Sequence, residues 1–133
     1  MAFPTIDPVW SARMLSVLRI VAALLFWQHG LQKFFGFPPP PTPRPSPAMF
    51  TLIWFAGILE LVLSPLLAIG LFTRCCALVL SGEMAFAYWM SHAPRSIYPI
   101  LNGGELAILY CFVFLYIACA GGGPWSVDAN RQR

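Results

Sequence analysis

Residues 13–36 read RMLSVLRIVAALLFWQHGLQKFFG. The stretch is apolar enough to enter a bilayer, yet it contains Arg19, His29 and Lys33. The spacing Arg19, Ala22, Phe26, His29, Lys33 alternates steps of three and four residues, which puts all five on one face of a helix. At 1.5 Å per residue a hydrocarbon core of ~30 Å needs ~20 residues, so the stretch predicts a first transmembrane helix over 13–36. An ionised side chain at the centre of a bilayer costs ~2.5–3.5 kcal/mol, so such groups turn inward and find partners. Three later apolar segments each carry one acid: Glu60, Glu83 and Glu105. The expectation is that the first helix supplies positive groups for these three carboxyls.

Composition agrees. Of 133 residues, 59% are hydrophobic and 10% charged, against about 45–50% and 25% in soluble domains. The mean hydropathy is +0.72. The net charge of +3 is spread along the chain, and no basic run offers a nucleic-acid surface. Cys75, Cys76, Cys111 and Cys119 show no zinc-type spacing and are expected to be reduced, space-filling residues of the interior. No haem-ligand pair or Glu-x-x-His motif is visible, so no metal site is expected. The first dozen residues have no signal-type apolar core, so the first helix is expected to stay as an anchor.

The predicted architecture is all-α: one membrane domain over 1–133, a four-helix bundle running up-down-up-down. Pro4 and Pro8 are expected to keep residues 1–12 non-helical, while Asp7 with Pro8 resembles a helix start. The helices are placed at 13–36, 51–69, 73–91 and 102–120. Between the first two lies a loop, 37–50, in which seven of the ten residues 38–47 are proline. Such a run is stiff and extended; it is either a rigid connector or a docking strip for a partner. Pro65 removes an amide from the second helix one turn from Glu60. Gly57, Glu60 and Ser64 share a face. Asn102 is a candidate N-cap for the last helix, with Glu105 in its first turn and Glu105, Leu109, Phe112, Tyr116 and Cys119 on one face. Arg13, Arg19, Arg74, Arg131 and Arg133 against Lys33, Arg44 and Arg95 place both termini in the cytoplasm by the positive-inside rule. That makes the chain a multi-pass protein of the cell (inner) membrane.

Measured along the helices, Glu60 and Glu83 fall near the bilayer midplane, with His29, Glu105 and Lys33 about 6–12 Å toward the outer side. His29, Lys33, Glu60, Glu83 and Glu105 are therefore the candidate pocket, with Arg19, Asn102 and Tyr110 in support. Two readings of this set stand side by side. In one, it is glue that locks the helices together. In the other, it handles protons or a small molecule.

Several features together resemble the DoxX family of small four-helix membrane proteins. They are Arg19, His29-Gly30 and Lys33; Gly57 and Glu60; Gly70-Leu71-Phe72-Thr73-Arg74; Met84-Ala85; Asn102-Gly103-Gly104-Glu105 with Leu109-Tyr110; and Gly123-Pro124-Trp125-Ser126-Val127-Asp128. The proline run departs from the family pattern. The resemblance implies a membrane subunit beside a redox system, since some members look like subunits of thiosulfate:quinone oxidoreductases and others are tied to thiol and oxidative-stress systems. With no cofactor motif of its own, the chain is expected to bind a quinone and exchange electrons with a partner. The alternative is a non-catalytic subunit that stabilises a larger complex or a homo-oligomer, with Pro38–Pro47 as the expected contact.

Overall fold

The computed structural model describes residues 7–131; Pro4 and Arg133, used in the readings above, lie outside them. Among the described residues the regular structure is entirely helical. Four long helices dominate: α1 (Pro8–Phe35), α2 (Leu52–Ile69), α3 (Thr73–Ala87) and α5 (Glu105–Ala120). Two short ones, α4 (Pro99–Asn102) and α6 (Val127–Arg131), flank α5.

Helix α1 begins five residues before the expected Arg13. Asp7 accepts a hydrogen bond from the Val9 amide (2.8 Å), and Pro8 takes a first-turn position. There its missing N–H costs nothing, so it starts the helix instead of preventing it. The third segment, expected to run to 91, is α-helical only to Ala87. It continues as a π-helical turn, Tyr88–His92, and a 3-10 turn, Ala93–Arg95. The last long helix starts at Glu105 rather than Asn102. Asn102 closes α4, and its Oδ1 accepts the Gly104 amide (2.8 Å) instead of capping α5 itself. Residues 37–50 form an exposed, irregular strap.

Contacts define the packing. Gly30 of α1 meets Leu61 and Glu60 of α2, and Gly57 of α2 meets Phe34 and Lys33 of α1, so the two run antiparallel. A Cβ on Gly30 would stand 3.0 Å from the Leu61 amide nitrogen; only glycine permits this approach. Helix α3 pairs with α5 in the same sense: Ser81 Oγ donates to the Cys111 carbonyl (2.8 Å), and Arg74 reaches Ala118 and Cys119. The core joins the pairs through Ala23 and Phe26 of α1, Leu67 of α2, Leu80 of α3, and Phe114 and Ile117 of α5. The outer surface is apolar, with Val21, Leu25, Val62, Leu78, Leu109 and Phe112 exposed. The four cysteines are free; Cys75 and Cys119 are exposed, not interior as expected.

One end of the molecule is tied together by side chains that cap helices other than their own. Arg19 is fully buried and hydrogen-bonds to backbone carbonyls only. Its Nε donates to the Gly122 carbonyl (2.8 Å), Nη1 to those of Leu67 (2.7 Å) and Ala68, and Nη2 to that of Trp125 (2.7 Å). It thus satisfies the last carbonyls of α2 and holds the chain after α5. Arg74 Nη1 does the same for α5, at Ala118 (2.9 Å) and Cys119 (2.5 Å). Helix α3 has no cap of its own, because Phe72 before it adopts a left-handed conformation, φ 51°. Asp128, from α6, supplies one: Oδ1 accepts the Phe72 amide (3.0 Å) and Oδ2 the Thr73 amide (2.8 Å). Burial alone would push the Asp128 carboxyl up; the amide and side chain of Thr73, the Phe72 amide and the charge of Arg131 outweigh it and hold the carboxyl below its ordinary value.

Two predictions follow from this capped end. Arg19→Leu orphans buried carbonyls at α2 and at the tail and should cost on the order of 3 kcal/mol, read as a lowered midpoint in detergent thermal denaturation. Asp128→Asn should cost about 1 kcal/mol at pH 7, as a lost cap does. A carboxyl lowered in the folded state stabilises fully above the ordinary Asp value of about 3.9, and that stabilisation is lost as pH falls through the folded value. The wild-type and Asp128→Asn midpoints should therefore converge on acidification.

Candidate functional site

At the opposite end of the core the helices leave a cavity of about 270 Å³. Helix α1 contributes Phe26, His29 and Lys33 at steps of three and four, the face predicted from sequence. Helix α2 contributes Glu60, α3 Met84, and α5 Tyr110. His92 reaches the same space from the π-helical turn.

The polar centre is the pair Lys33–Glu60, Nζ to Oε1 2.5 Å. Glu60 is 2% exposed, and the Lys33 side chain 30%. Glu60 is held deep because it lies on the Gly57–Glu60–Ser64 face of α2, where Gly30 and Gly57 bring α1 close. Glu83 stands within electrostatic reach of both Glu60 and Lys33. The Glu60 and Glu83 carboxyls are close enough to share a proton; with both ionised, neither oxygen of Glu83 nor Oε2 of Glu60 has a donor among the described residues. Two carboxyls thus share one ammonium in apolar surroundings. The arrangement has room for one further positive charge or hydrogen-bond donor: a proton, a cation or a ligand group.

Aromatic rings form the neighbouring wall. Phe26 stands 5.0 Å from Tyr110 and 5.6 Å from His29, centroid to centroid, and His29 meets Tyr110 edge to face at 6.1 Å. His92 is fixed from behind, with Nδ1 3.0 Å from the Asn102 carbonyl. A carbonyl only accepts, so Nδ1 carries the hydrogen and Nε2 of the neutral ring is left as an acceptor. The buried Asn102 side chain donates to the Ser96 carbonyl (2.9 Å) and reaches the Tyr88 hydroxyl (3.4 Å).

The predicted set is therefore divided. His29, Lys33, Glu60 and Tyr110 line one cavity, and Glu83 adjoins it. Asn102 acts from outside it, through His92. Glu105 does not belong: it is exposed on the first turn of α5, on the same outward face as Leu109, Phe112, Tyr116 and Cys119. Depth along the axis was right for a shared site, but the helix turns Ala107, Tyr110, Phe114 and Ile117 inward instead. Arg19 does not belong either, being engaged at the other end. His92 was not among the predicted residues; its position depends on the π-helical turn, which no sequence pattern marks.

A family model described as DoxX matches residues 14–93. The chain belongs to the DoxX family. A relative from Haemophilus influenzae, described as an uncharacterized protein, is 44% identical over 117 residues, covering 86% of this chain and 87% of that one. No solved structure matches. This DoxX protein is a membrane protein, and its α1 and α2 are each long and apolar enough to cross a bilayer; α5 is apolar but shorter.

If the Lys33–Glu60 pair holds α1 to α2, Lys33→Met should cost at most about 3 kcal/mol, since Lys33 is partly exposed and the carboxyl left behind is not. The double variant Lys33→Met, Glu60→Leu should recover most of that loss in the same thermal assay.

Proposed function

We propose that this DoxX-family protein is a membrane subunit of a redox system and that its cavity receives the ring of a quinone or similar small molecule. What carries the reading is a buried ion pair opening on a cavity with apolar and aromatic walls, with a second carboxyl beside it. Quinone rings need an apolar slot and hydrogen-bonding groups at two oxygens. Lys33 can donate to a carbonyl oxygen. His29, His92 Nε2 and the Glu60–Glu83 carboxyls can accept protons from a quinol. Oxidation of the quinol then releases two protons to such groups and two electrons to a partner redox protein. Phe26, Met84 and Leu106 supply the apolar walls.

In the same reading all four long helices cross the inner membrane as an antiparallel bundle, α3 with the help of its π-helical extension. Arg13, Arg74 and Arg131 face the cytoplasm together with both termini. Trp10 and Trp125, both exposed near the tail end, suit a membrane interface. A second role, as an assembly subunit, draws on the exposed Phe37, Met49 and Phe50 along the proline strap. Under that role a partner chain co-purifies in mild detergent.

The test of the quinone site is titration of the purified protein with a short-chain ubiquinone analogue, followed by tryptophan fluorescence. Binding should saturate, and Lys33→Gln and Glu83→Gln should each weaken it about tenfold, equivalent to ~1.4 kcal/mol. Equal affinity in all three proteins, or no saturable binding in any, removes the proposal.

A further inference from the structure

A second cavity, of about 520 Å³, lies at the capped end, remote from the first. Its lining includes Thr73, Arg74, Gly121, Gly122, Asp128 and Arg131. We propose that it binds a phosphate group.

Two cations face it against one acid. Both Asp128 oxygens are already occupied by the Phe72 and Thr73 amides, so that acid is held in place as a cap. Arg74 spends only Nη1 on the α5 carbonyls; Nε and Nη2 make no hydrogen bond among the described residues. Arg131 likewise donates to none of them; its charge acts on Asp128 across the cavity lining. The Thr73 hydroxyl is 1% exposed and lines the cavity beside the Asp128 carboxylate, with no partner at full hydrogen-bond distance among the described residues. A buried hydroxyl left without a partner is costly unless something else bonds it. Guanidinium N–H groups and a hydroxyl are donors suited to phosphate oxygens, and one net positive charge matches a singly charged phosphodiester.

The surroundings favour a membrane-borne source. Trp10, Phe72 and Trp125 are exposed around this end, and Arg13 stacks over Trp10 at 5.2 Å. Aromatic rings and arginines of this kind mark the headgroup level of a bilayer, where anionic lipids present phosphate. Free phosphate presents the same chemistry from solution.

The experiment is native mass spectrometry of the full chain in detergent, offered phosphatidylglycerol or phosphatidylcholine, with thermal midpoints recorded with and without inorganic phosphate. Arg131→Gln and Thr73→Val are the variants, because neither removes a helix cap; unchanged midpoints without phosphate show that they fold. Wild type should retain phosphatidylglycerol over phosphatidylcholine, and Arg131→Gln should reduce that preference about fivefold, as loss of one arginine near a lipid surface does. Thr73→Val should weaken it in the same direction. If instead inorganic phosphate alone raises the wild-type midpoint, and does so less in the variants, the site is a phosphate site fed from solution. Equal retention of both lipids with no shift on adding phosphate overturns the proposal, as does behaviour of both variants identical to wild type.

Discussion

The fold depends on what Arg19 does with its charge. A buried guanidinium usually meets a carboxylate; here it meets four backbone carbonyls, two from the end of α2 and two from the chain after α5. The end of a helix carries the negative pole of its dipole, so a cation placed there is stabilised without a hydrogen-bonded acid, and Asp128 adds a favourable charge nearby. This arrangement needs the α2–α3 turn to come very close. Gly70, at φ 75°, permits that: a Cβ there would stand 2.3 Å from the Ser126 side chain and 3.1 Å from the Arg19 guanidinium carbon. The same turn leaves Phe72 in a left-handed conformation with no local capping side chain, and Asp128 makes up for it from the tail. α2, α3 and α5 are thus each terminated here by a residue from elsewhere in the chain. Loosening the tail would therefore loosen the helix ends with it.

Side-chain size shapes the middle of the molecule and the cavity beyond it. Ala22, Ala23 and Gly30 let α1 lie close to its neighbours, in an apolar solvent where packing, not water exclusion, holds helices together. Phe26 fills the middle against Tyr110 and Phe114. Beyond Phe26 the α1 face carries His29 and Lys33, which are long and polar and cannot pack as densely. The π-helical turn at Tyr88–His92 then inserts one more residue per turn and re-aims its side chains. His92 enters the cavity as a result, braced by Asn102.

Much of this was legible in the sequence. The spacing of Phe26, His29 and Lys33 gave one α1 face, and the small–acid–small pattern of Gly57, Glu60 and Ser64 gave the α2 face that meets it. Those two patterns suffice to bring Lys33 to Glu60. Position along a helix was enough to set depth but not direction, and Glu105 shows the difference. Its depth suits the cavity, whereas α5 buries Tyr110 and Phe114 and leaves the glutamate outside. Arg19 was misassigned for a related reason. It shares a face with His29, but ten residues of helix separate them by about 15 Å, and its partners are carbonyls, which no composition or charge count reveals. Capping across the chain, as by Arg74 and Asp128, is equally silent, because its geometry exists only once the tail has folded back.

With Glu105 outside the cavity and His92 within it, the charge balance there changes. The pocket expected from the sequence sets one lysine and one histidine against three acids; the cavity has one lysine beside Glu60 and Glu83, with two histidines within the lining. Acceptors outnumber donors. On the quinone reading, such a site favours the reduced, hydroxyl-bearing ring over the oxidised one, since a hydroxyl can donate to a carboxyl that otherwise lacks a partner, whereas a second carbonyl oxygen would add to the surplus. The apolar layer of Phe26, Leu67, Leu80 and Phe114 also keeps this acid-rich chamber apart from the basic one near Arg74. The two polar regions are therefore free to differ in sign.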